Sequence, residues 1–101
     1  MTRLRMVARR RPAHASRPHQ GENAIDRAGR AIVALQGLDR GPIDPLLGPA
    51  TIQVTKIEGG AAANVLPAEC LATIDSRTTP RVPGEEILRR IATIEEVEWE
   101  V

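Results

Sequence analysis

A chain of 101 residues is long enough for one small domain with a single hydrophobic core, and we expect one domain over residues 1–101. One Trp with no Phe or Tyr implies an aliphatic core and argues against a protein that stacks nucleic-acid bases on aromatic rings. The net charge is +1, but residues 1–30 carry eight Arg and two acidic residues while the C-terminus is rich in Glu, which indicates either a nucleic-acid patch or two halves that pair.

The N-terminal half is predicted to contain a strand and a helix. In the segment "TRLRMVAR" polar and apolar residues alternate, which indicates a strand with Leu4, Met6 and Ala8 on one side. Its other side, which is expected to face water, carries Arg3, Arg5, Val7 and Arg9. From Asn23 to Leu38, apolar residues recur at intervals of three and four and form one stripe of a helix: Ile25, Ala28, Ile32, Leu35 and Leu38.

The C-terminal half is predicted to contain a loop, two strands, a helix and a last strand. The segment "GPIDPLLGP" is a loop because of its Pro and Gly residues, and the β-branched segments "TIQVTKI" and "ECLATID" are typical of strands. A second helix follows Pro83 and Gly84, with an apolar stripe of Ile87, Leu88, Ile91 and Ile94. In "EVEWEV", Glu96, Glu98 and Glu100 alternate with Val97, Trp99 and Val101, which predicts a strand.

This order predicts an α+β fold, a ferredoxin-like β-α-β-β-α-β sandwich with a four-stranded antiparallel sheet and two helices on one face. The first and third strands lie in the middle, and the last strand lies antiparallel beside the first. The three Glu residues of the last strand then face Arg3, Arg5 and Arg9 across the sheet. Such pairing explains the uneven charge without a ligand and favours this interpretation over a nucleic-acid patch.

Both histidines of the chain lie between the first strand and the first helix, in "RPAHASRPHQGENAI" from Arg11 to Ile25. This stretch, followed by "LLGPATIQVTKIEGGAAANVLP" and "IDSRTTP", resembles the dimerisation or lid domain of zinc amidohydrolases such as acetylornithine deacetylase, succinyl-diaminopimelate desuccinylase, aminoacylase and carboxypeptidase G. The resemblance covers essentially the whole chain. It implies the same four-stranded fold, a lid that is inserted into a larger catalytic domain with two zinc ions, and lids of two subunits that join edge to edge.

The resemblance also implies roles for three residues. His14 matches the residue that reaches across the dimer and stabilises the oxyanion of the tetrahedral intermediate in the partner's active site. Asn64 and Arg77 match substrate contacts, with Arg77 at the substrate's carboxylate. From the residues alone other roles stay open, because Asn64 could cap the turn after the glycine pair and Arg77 could pair with Asp75 or Glu69. His19 matches no functional position.

Three further residues have structural explanations. Gly59 and Gly60 are expected to allow a close backbone approach or a positive φ where the second strand ends. Cys70 is expected to pack as a small apolar group, and with one Cys and two His the chain has neither an internal disulfide nor a four-ligand structural zinc site. We therefore expect no cofactor on this chain, and the zinc ions that the resemblance implies would belong to the catalytic domain.

The sequence thus predicts a lid that forms a homodimer through the edge of its second strand and its first helix. Because the catalytic domain is absent, we interpret the chain as a fragment, a separately encoded lid or an incomplete reading frame, inactive alone, whose full enzyme would act on an N-acyl amino acid or peptide. The single Cys70 fits a reducing, cytoplasmic setting. No apolar run approaches the roughly 18 residues needed to span a bilayer, so we expect a soluble protein with no membrane partner. The alternatives are a stand-alone regulatory or ligand-binding module of the same topology and, less favoured, a nucleic-acid binder.

Overall fold

The fold has the predicted order of elements, β-α-β-β-α-β, in a computed structural model that describes residues 2–9 and 23–101. The strands are β1 (Thr2–Arg9), β2 (Thr51–Gly59), β3 (Glu69–Arg77) and β4 (Glu98–Glu100). The helices are α1 (Ala24–Gln36) and α2 (Gly84–Ile91). Residues of both helices share one core with the same face of the sheet, so the predicted fold class is confirmed.

The sheet is antiparallel, with the order β2-β3-β1-β4. β1 pairs with β3 from Thr2 opposite Ser76 to Arg9 opposite Glu69, and with β4 through Arg5 opposite Glu100. The prediction that the first and third strands lie in the middle and that the second strand is an edge is therefore confirmed.

The sheet has two ends that matter for function. At one end, called the terminal end, β1 begins at Thr2 and Thr51 of β2 lies opposite Arg77 of β3. At the other, called the loop end, β1 finishes at Arg9, and β2 and β3 are joined by the segment between Gly59 and Glu69. β4 runs antiparallel to β1, so the chain also leaves the domain toward the terminal end.

The face of α1 that packs on the sheet is made mainly of small residues. Asn23 caps the helix, because its side-chain oxygen accepts a hydrogen bond from the Ile25 backbone N–H at 2.8 Å. The buried residues of the helix are Ala24, Ala28, Ala31 and Leu35. Ile25 belongs to the predicted apolar stripe but is 40% exposed, whereas Ile32 and Leu38 of that stripe are partly buried against the core. Alanines allow the helix axis to approach the sheet closely, and the bulkier Ile25 is left at the flank.

The helix α2 and the outer face of the sheet agree with the predicted pattern, with one exception. Ile87 and Ile91 are buried, while Leu88 and Ile94 pack partly against the core. On the outer face, Val7 was predicted to face water but is only 2% exposed. Val7 lies between Leu71 of β3 and Glu98 of β4, whose side chains share its face of the sheet.

The last strand is shorter than the predicted six residues, and Glu96 does not belong to it. The Arg27 side chain donates to the backbone carbonyl of Glu96, and Arg30 Nε lies 3.1 Å from Glu96 Oε2. These contacts tie Glu96 to α1, so it cannot join the ladder with β1. The predicted charge pairing holds for Arg5, whose Nη2 lies 2.6 Å from Glu100 Oε2, and for Arg9 with Glu98. In the described part of the chain Arg3 has no ion pair, which corrects the prediction for that residue.

Candidate functional site

The segment that carries Asn64 joins β2 to β3 at the loop end of the sheet. Gly60 has a φ of 88°, and a Cβ atom on Gly59 would stand 2.9 Å from Cys70 Sγ, so the predictions for both glycines are confirmed. Cys70 itself is buried, as predicted, and burial raises the pKa of its thiol. The Ala24 backbone N–H donates to the Pro67 carbonyl at 3.2 Å and holds the segment against the start of α1.

Asn64 is exposed on this segment and faces a shallow cleft of about 460 Å³ at the loop end. Asn23 and Ile25 from the start of α1 line the cleft together with Leu66 and Pro67. Val65 and Leu66 are both more than half exposed. The structure thus presents Asn64 at a surface that is largely apolar, where a polar side chain could orient a ligand.

Arg77 ends β3 at the terminal end of the sheet, and its side chain is 70% exposed. Its Nε lies 3.7 Å from Asp75 Oδ2, so the structural alternative that the sequence left open, an ion pair with Asp75, is present. At this distance and exposure the pair contributes little stability, and the guanidinium can still reach a carboxylate outside the domain. Asp75 Oδ1 is buried and has no hydrogen-bond partner in the described residues.

Asn64 and Arg77 are not brought together within one copy of the domain. β3 runs from Glu69, next to the Asn64 segment, to Arg77 over nine residues. At about 3.3 Å per residue this separates the two ends by roughly 26 Å, which exceeds the length of a single amino-acid substrate. His14 lies outside the described residues, as does His19. The connection that contains them begins after Arg9, at the same loop end as Asn64.

The edge of the sheet at β2 is the second feature of the candidate site. Within the described ranges no strand pairs with the outer side of β2. A bulge between Val54 and Lys56 shifts the register, and Ile57 then lies opposite Ala72, on the helix side of the sheet, where it is 50% exposed. Ile25 at the start of α1 is 40% exposed and lies next to Gly59 at the end of this edge, and Val33, two turns further along the helix, is 67% exposed.

We call Ile25, Val33 and Ile57 the edge patch. Gly29 lies between Ile25 and Val33 along α1. A shallow cleft on the helix is lined by Ile25, Asp26, Gly29, Arg30 and Val33. The prediction of an interface at the first helix named no residues on it. A signal was present in the sequence, because Ile25, Gly29 and Val33 follow one another at intervals of four.

The charges of the outer face largely neutralise one another. Glu58 lies 2.6 Å from Lys56 Nζ, and their hydrogen bond and mutual attraction raise the pKa of Lys56 and lower the pKa of Glu58. Arg9 pairs with Glu98 and Glu69, and its bond to Glu98 raises the pKa of its guanidinium. A basic strand whose charges are paired in this way is a poor surface for a phosphate backbone, which supports the pairing interpretation of the charge asymmetry.

Residues 2–9 and 23–101 contain neither a cluster of metal ligands nor a membrane-spanning helix. In these ranges no three His, Cys, Asp or Glu side chains come together as a metal site, so the described residues do not fit the two zinc ions that the resemblance implies. Neither helix in the same ranges is long and apolar enough to cross a bilayer.

The sequence matches a known family and several characterised enzymes. The family described as "Peptidase dimerisation domain" matches residues 1–99. The acetylornithine deacetylase of Myxococcus xanthus is 34% identical over 92 residues, which cover 85% of this chain and 24% of that protein. The succinyl-diaminopimelate desuccinylase of Marinobacter nauticus is 31% identical over 83 residues, which cover 80% of this chain and 22% of that protein. The chain therefore spans about a quarter or less of the length of these curated relatives.

Solved structures share the fold. The aminobenzoyl-glutamate utilization protein from Klebsiella pneumoniae superposes with a TM-score of 0.70 at 21% identity, over 98% of this chain and 26% of that one. A putative aminohydrolase from methicillin-resistant Staphylococcus aureus superposes with a TM-score of 0.70 at 17% identity, over 97% of this chain and 29% of that one. At these identities the likeness concerns the fold.

Proposed function

Because this chain belongs to the peptidase dimerisation domain family, we propose that it pairs with a second copy of itself and thereby completes the active site of a zinc-dependent amidohydrolase. The observation that carries this proposal is the edge of β2, which no strand of the described residues covers, together with the exposed edge patch on α1 and β2. An unpaired strand edge accepts another strand, and apolar side chains beside it supply the burial that stabilises the pair.

The pairing that fits this edge is two-fold. An axis perpendicular to the sheet makes the two β2 strands antiparallel, extends the sheet from four strands to eight, and keeps the helices of both copies on one face. Val33 and Ile57 of each copy are then buried against the partner's α1 and β2, in an isologous interface. The bulge next to Thr55, whose side chain donates to the Thr73 carbonyl, twists the strand within this edge.

The same two-fold symmetry places the loop end of one copy beside the terminal end of the other, although the two ends are far apart within one copy. Antiparallel pairing brings the loop end of one copy, with Asn64 and with Arg9, after which the connection to His14 begins, next to the terminal end of the other, where Arg77 lies. The length of β3, roughly 26 Å, lies between the Asn64 segment and Arg77 within one copy and supports a site that is shared between subunits. Each dimer would then have two such sites.

The chemistry of the three residues suits amide hydrolysis. A histidine side chain at His14 donates a hydrogen bond to the oxygen on which negative charge develops. The planar guanidinium of Arg77 binds a substrate carboxylate through two parallel hydrogen bonds, and the amide of Asn64 orients the acyl group. When bound, zinc would activate water, and its ligands would come from a larger catalytic domain, because the described residues hold no cluster of three candidate ligands. The substrate class is an N-acyl amino acid or a peptide.

Sedimentation of the 101-residue chain tests the proposed dimer. We expect the wild type to sediment as a dimer at high micromolar concentration, and a Val33→Lys, Ile57→Lys double variant to sediment as a monomer with an unchanged circular dichroism spectrum. Lysine at these exposed positions leaves the core intact while it places like charges in the interface. Leu46→Lys, at an apolar residue that is even more exposed and lies away from the edge, is the control and should stay dimeric. A monomeric wild type, or a double variant that dimerises as before, would contradict the proposal.

A further inference from the structure

A tight turn between α1 and β2 exposes three apolar side chains at the terminal end of the domain. Its backbone is closed by two hydrogen bonds, from the Asp44 N–H to the Gly48 carbonyl at 3.0 Å and from the Gly48 N–H to the Asp44 carbonyl at 2.9 Å. Asp44 Oδ1 also accepts from the backbone N–H groups of Leu46 and Leu47, at 2.8 and 2.9 Å. We call residues 43–48 the Leu46 turn.

Among residues 2–9 and 23–101, little packs against the apolar side chains of the Leu46 turn. Leu46 is 92% exposed, and Ile43 and Leu47 are each 67% exposed. They belong neither to the core nor to the edge patch. A backbone that is held by four hydrogen bonds presents these side chains in a defined position, so a partner that covers them loses little conformational entropy on binding.

The position of the turn identifies what can cover it. A Cβ atom on Gly41, two residues before the turn, would stand 2.9 Å from Val82 Cγ2, so the chain enters the turn beside the connection from β3 to α2. The hydroxyl of Thr2, where the chain enters β1, lies close to Gly84 at the end of the same connection, and β4 leads the chain back toward this end. The turn therefore lies at the end of the domain where both flanking segments are attached.

We propose that the Leu46 turn docks on the larger catalytic domain that adjoins this end in the whole protein. The inference rests on the proposed function, because it requires that such a domain exists. The matched segment covers only 22% and 24% of the two curated relatives, so three quarters or more of their length lies outside it. This remaining length supports the existence of a larger domain. Packing of Leu46 and Leu47 on that domain would set the angle between lid and catalytic domain, and hence how closely Arg77 approaches the substrate.

The experiment uses both the isolated chain and a chimera in which this chain replaces the matching segment of the acetylornithine deacetylase relative. In the isolated chain, a Leu46→Asn, Leu47→Asn variant should keep the dimer and the urea midpoint of the wild type, because these side chains contact solvent. In the chimera, amide hydrogens of residues 43–48 should exchange more slowly than in the isolated chain. The same double substitution should abolish that protection and lower kcat/KM about tenfold or more, through lost burial of two leucines.

The matched control is Ala92→Asn, at an exposed position beyond the end of α2 and away from the terminal end, which should leave exchange and activity unchanged. If the chimera is dimeric and active, but residues 43–48 exchange as in the isolated chain and the variant has full activity, this inference is wrong and the proposed function stands. If the Leu46, Leu47 variant of the isolated chain becomes monomeric, the turn is covered by a second copy, which overturns the inference. A chimera that neither dimerises nor hydrolyses substrate contradicts the proposed function and this inference together.

Discussion

The backbone of Gly59 lies directly against the side chain of Cys70 on the neighbouring strand. The two residues are opposite each other in the β2–β3 ladder, and a Cβ atom on Gly59 would stand 2.9 Å from Cys70 Sγ and 3.2 Å from Ile25 Cγ1. Cys70 is buried, so its side chain has little room to move away. This contact fixes the end of β2 beside the start of α1, next to the segment that carries Asn64.

Gly59→Ala should therefore destabilise the domain. Forcing a methyl group into a packed site typically costs about 1–3 kcal/mol, and urea unfolding should show a loss of this size. Cys70→Ala is the matched partner in a double-mutant cycle, because removal of Sγ should relieve part of the cost of Gly59→Ala. Additive effects of the two substitutions would show that the predicted contact does not limit the space at Gly59.

Asp44 should make the stability of the domain depend on pH. Hydrogen bonds from the backbone N–H groups of Leu47 and Leu46 lower the pKa of Asp44 below its usual value. A carboxyl group with a lowered pKa in the folded state stabilises the fold above its unfolded pKa, and this contribution is lost as the pH falls through the folded pKa. Asp44→Asn keeps an acceptor oxygen but removes the charge.

We expect wild type and Asp44→Asn to differ most in free energy of unfolding near neutral pH and to converge in acid, below the folded pKa of Asp44. Urea unfolding at a series of pH values measures this difference. A gap between the two proteins that stays constant from neutral pH to acid would show that ionisation of Asp44 does not stabilise the turn.

The isolated chain should bind no catalytic zinc and should have no amidase activity. Two histidines in one connection cannot supply the ligand set of a catalytic zinc site, and the described residues contain no other cluster. Metal analysis after dialysis and an assay with an N-acyl amino acid check this prediction. Stoichiometric zinc, or hydrolysis that survives repurification, would contradict it.

His14→Ala should lower turnover far more than substrate binding once the lid is part of a complete family enzyme. An oxyanion donor acts as charge develops in the transition state, and loss of one donor typically lowers the rate about a hundred- to a thousandfold. Measurement of kcat and KM in the chimera separates the two effects. His19→Ala is the matched control in the same connection and should change little.

Mixed dimers provide the test of action across the interface. A His14→Ala subunit, combined with a subunit whose zinc ligands are destroyed, should regain one working site per heterodimer. That site would pair intact zinc ligands on one subunit with the intact His14 of the other. Mixtures that form heterodimers but remain inactive would show that His14 does not act in trans.

The element order and the strand order follow from the sequence because their signals are local. Alternation identified β1, spacing of three and four identified both helices, and right-handed connections then left the β2-β3-β1-β4 order as the expected one. The pairing of Arg5 with Glu100 also followed, since antiparallel neighbours bring opposite charges on one face together. The resemblance to zinc amidohydrolases agrees with the family match over residues 1–99.

Tertiary structure decided which side of α1 meets the sheet. The sequence of α1 contains two apolar stripes, one with Ile25 and one with Ala24 and Ala31, and both stripes include Ala28 and Leu35. Close packing favours the stripe with Ala24 and Ala31, and this choice leaves Ile25 exposed for the edge patch. Tertiary structure also drew Glu96 away from β1, because the Arg side chains of α1 hold it.

The sequence places Asn64 and Arg77 thirteen positions apart, but a nine-residue strand that ends at Arg77 sets them at opposite ends of the sheet. The number of residues between two positions does not fix their distance in space. The extended conformation of β3 determines how far apart these two residues lie.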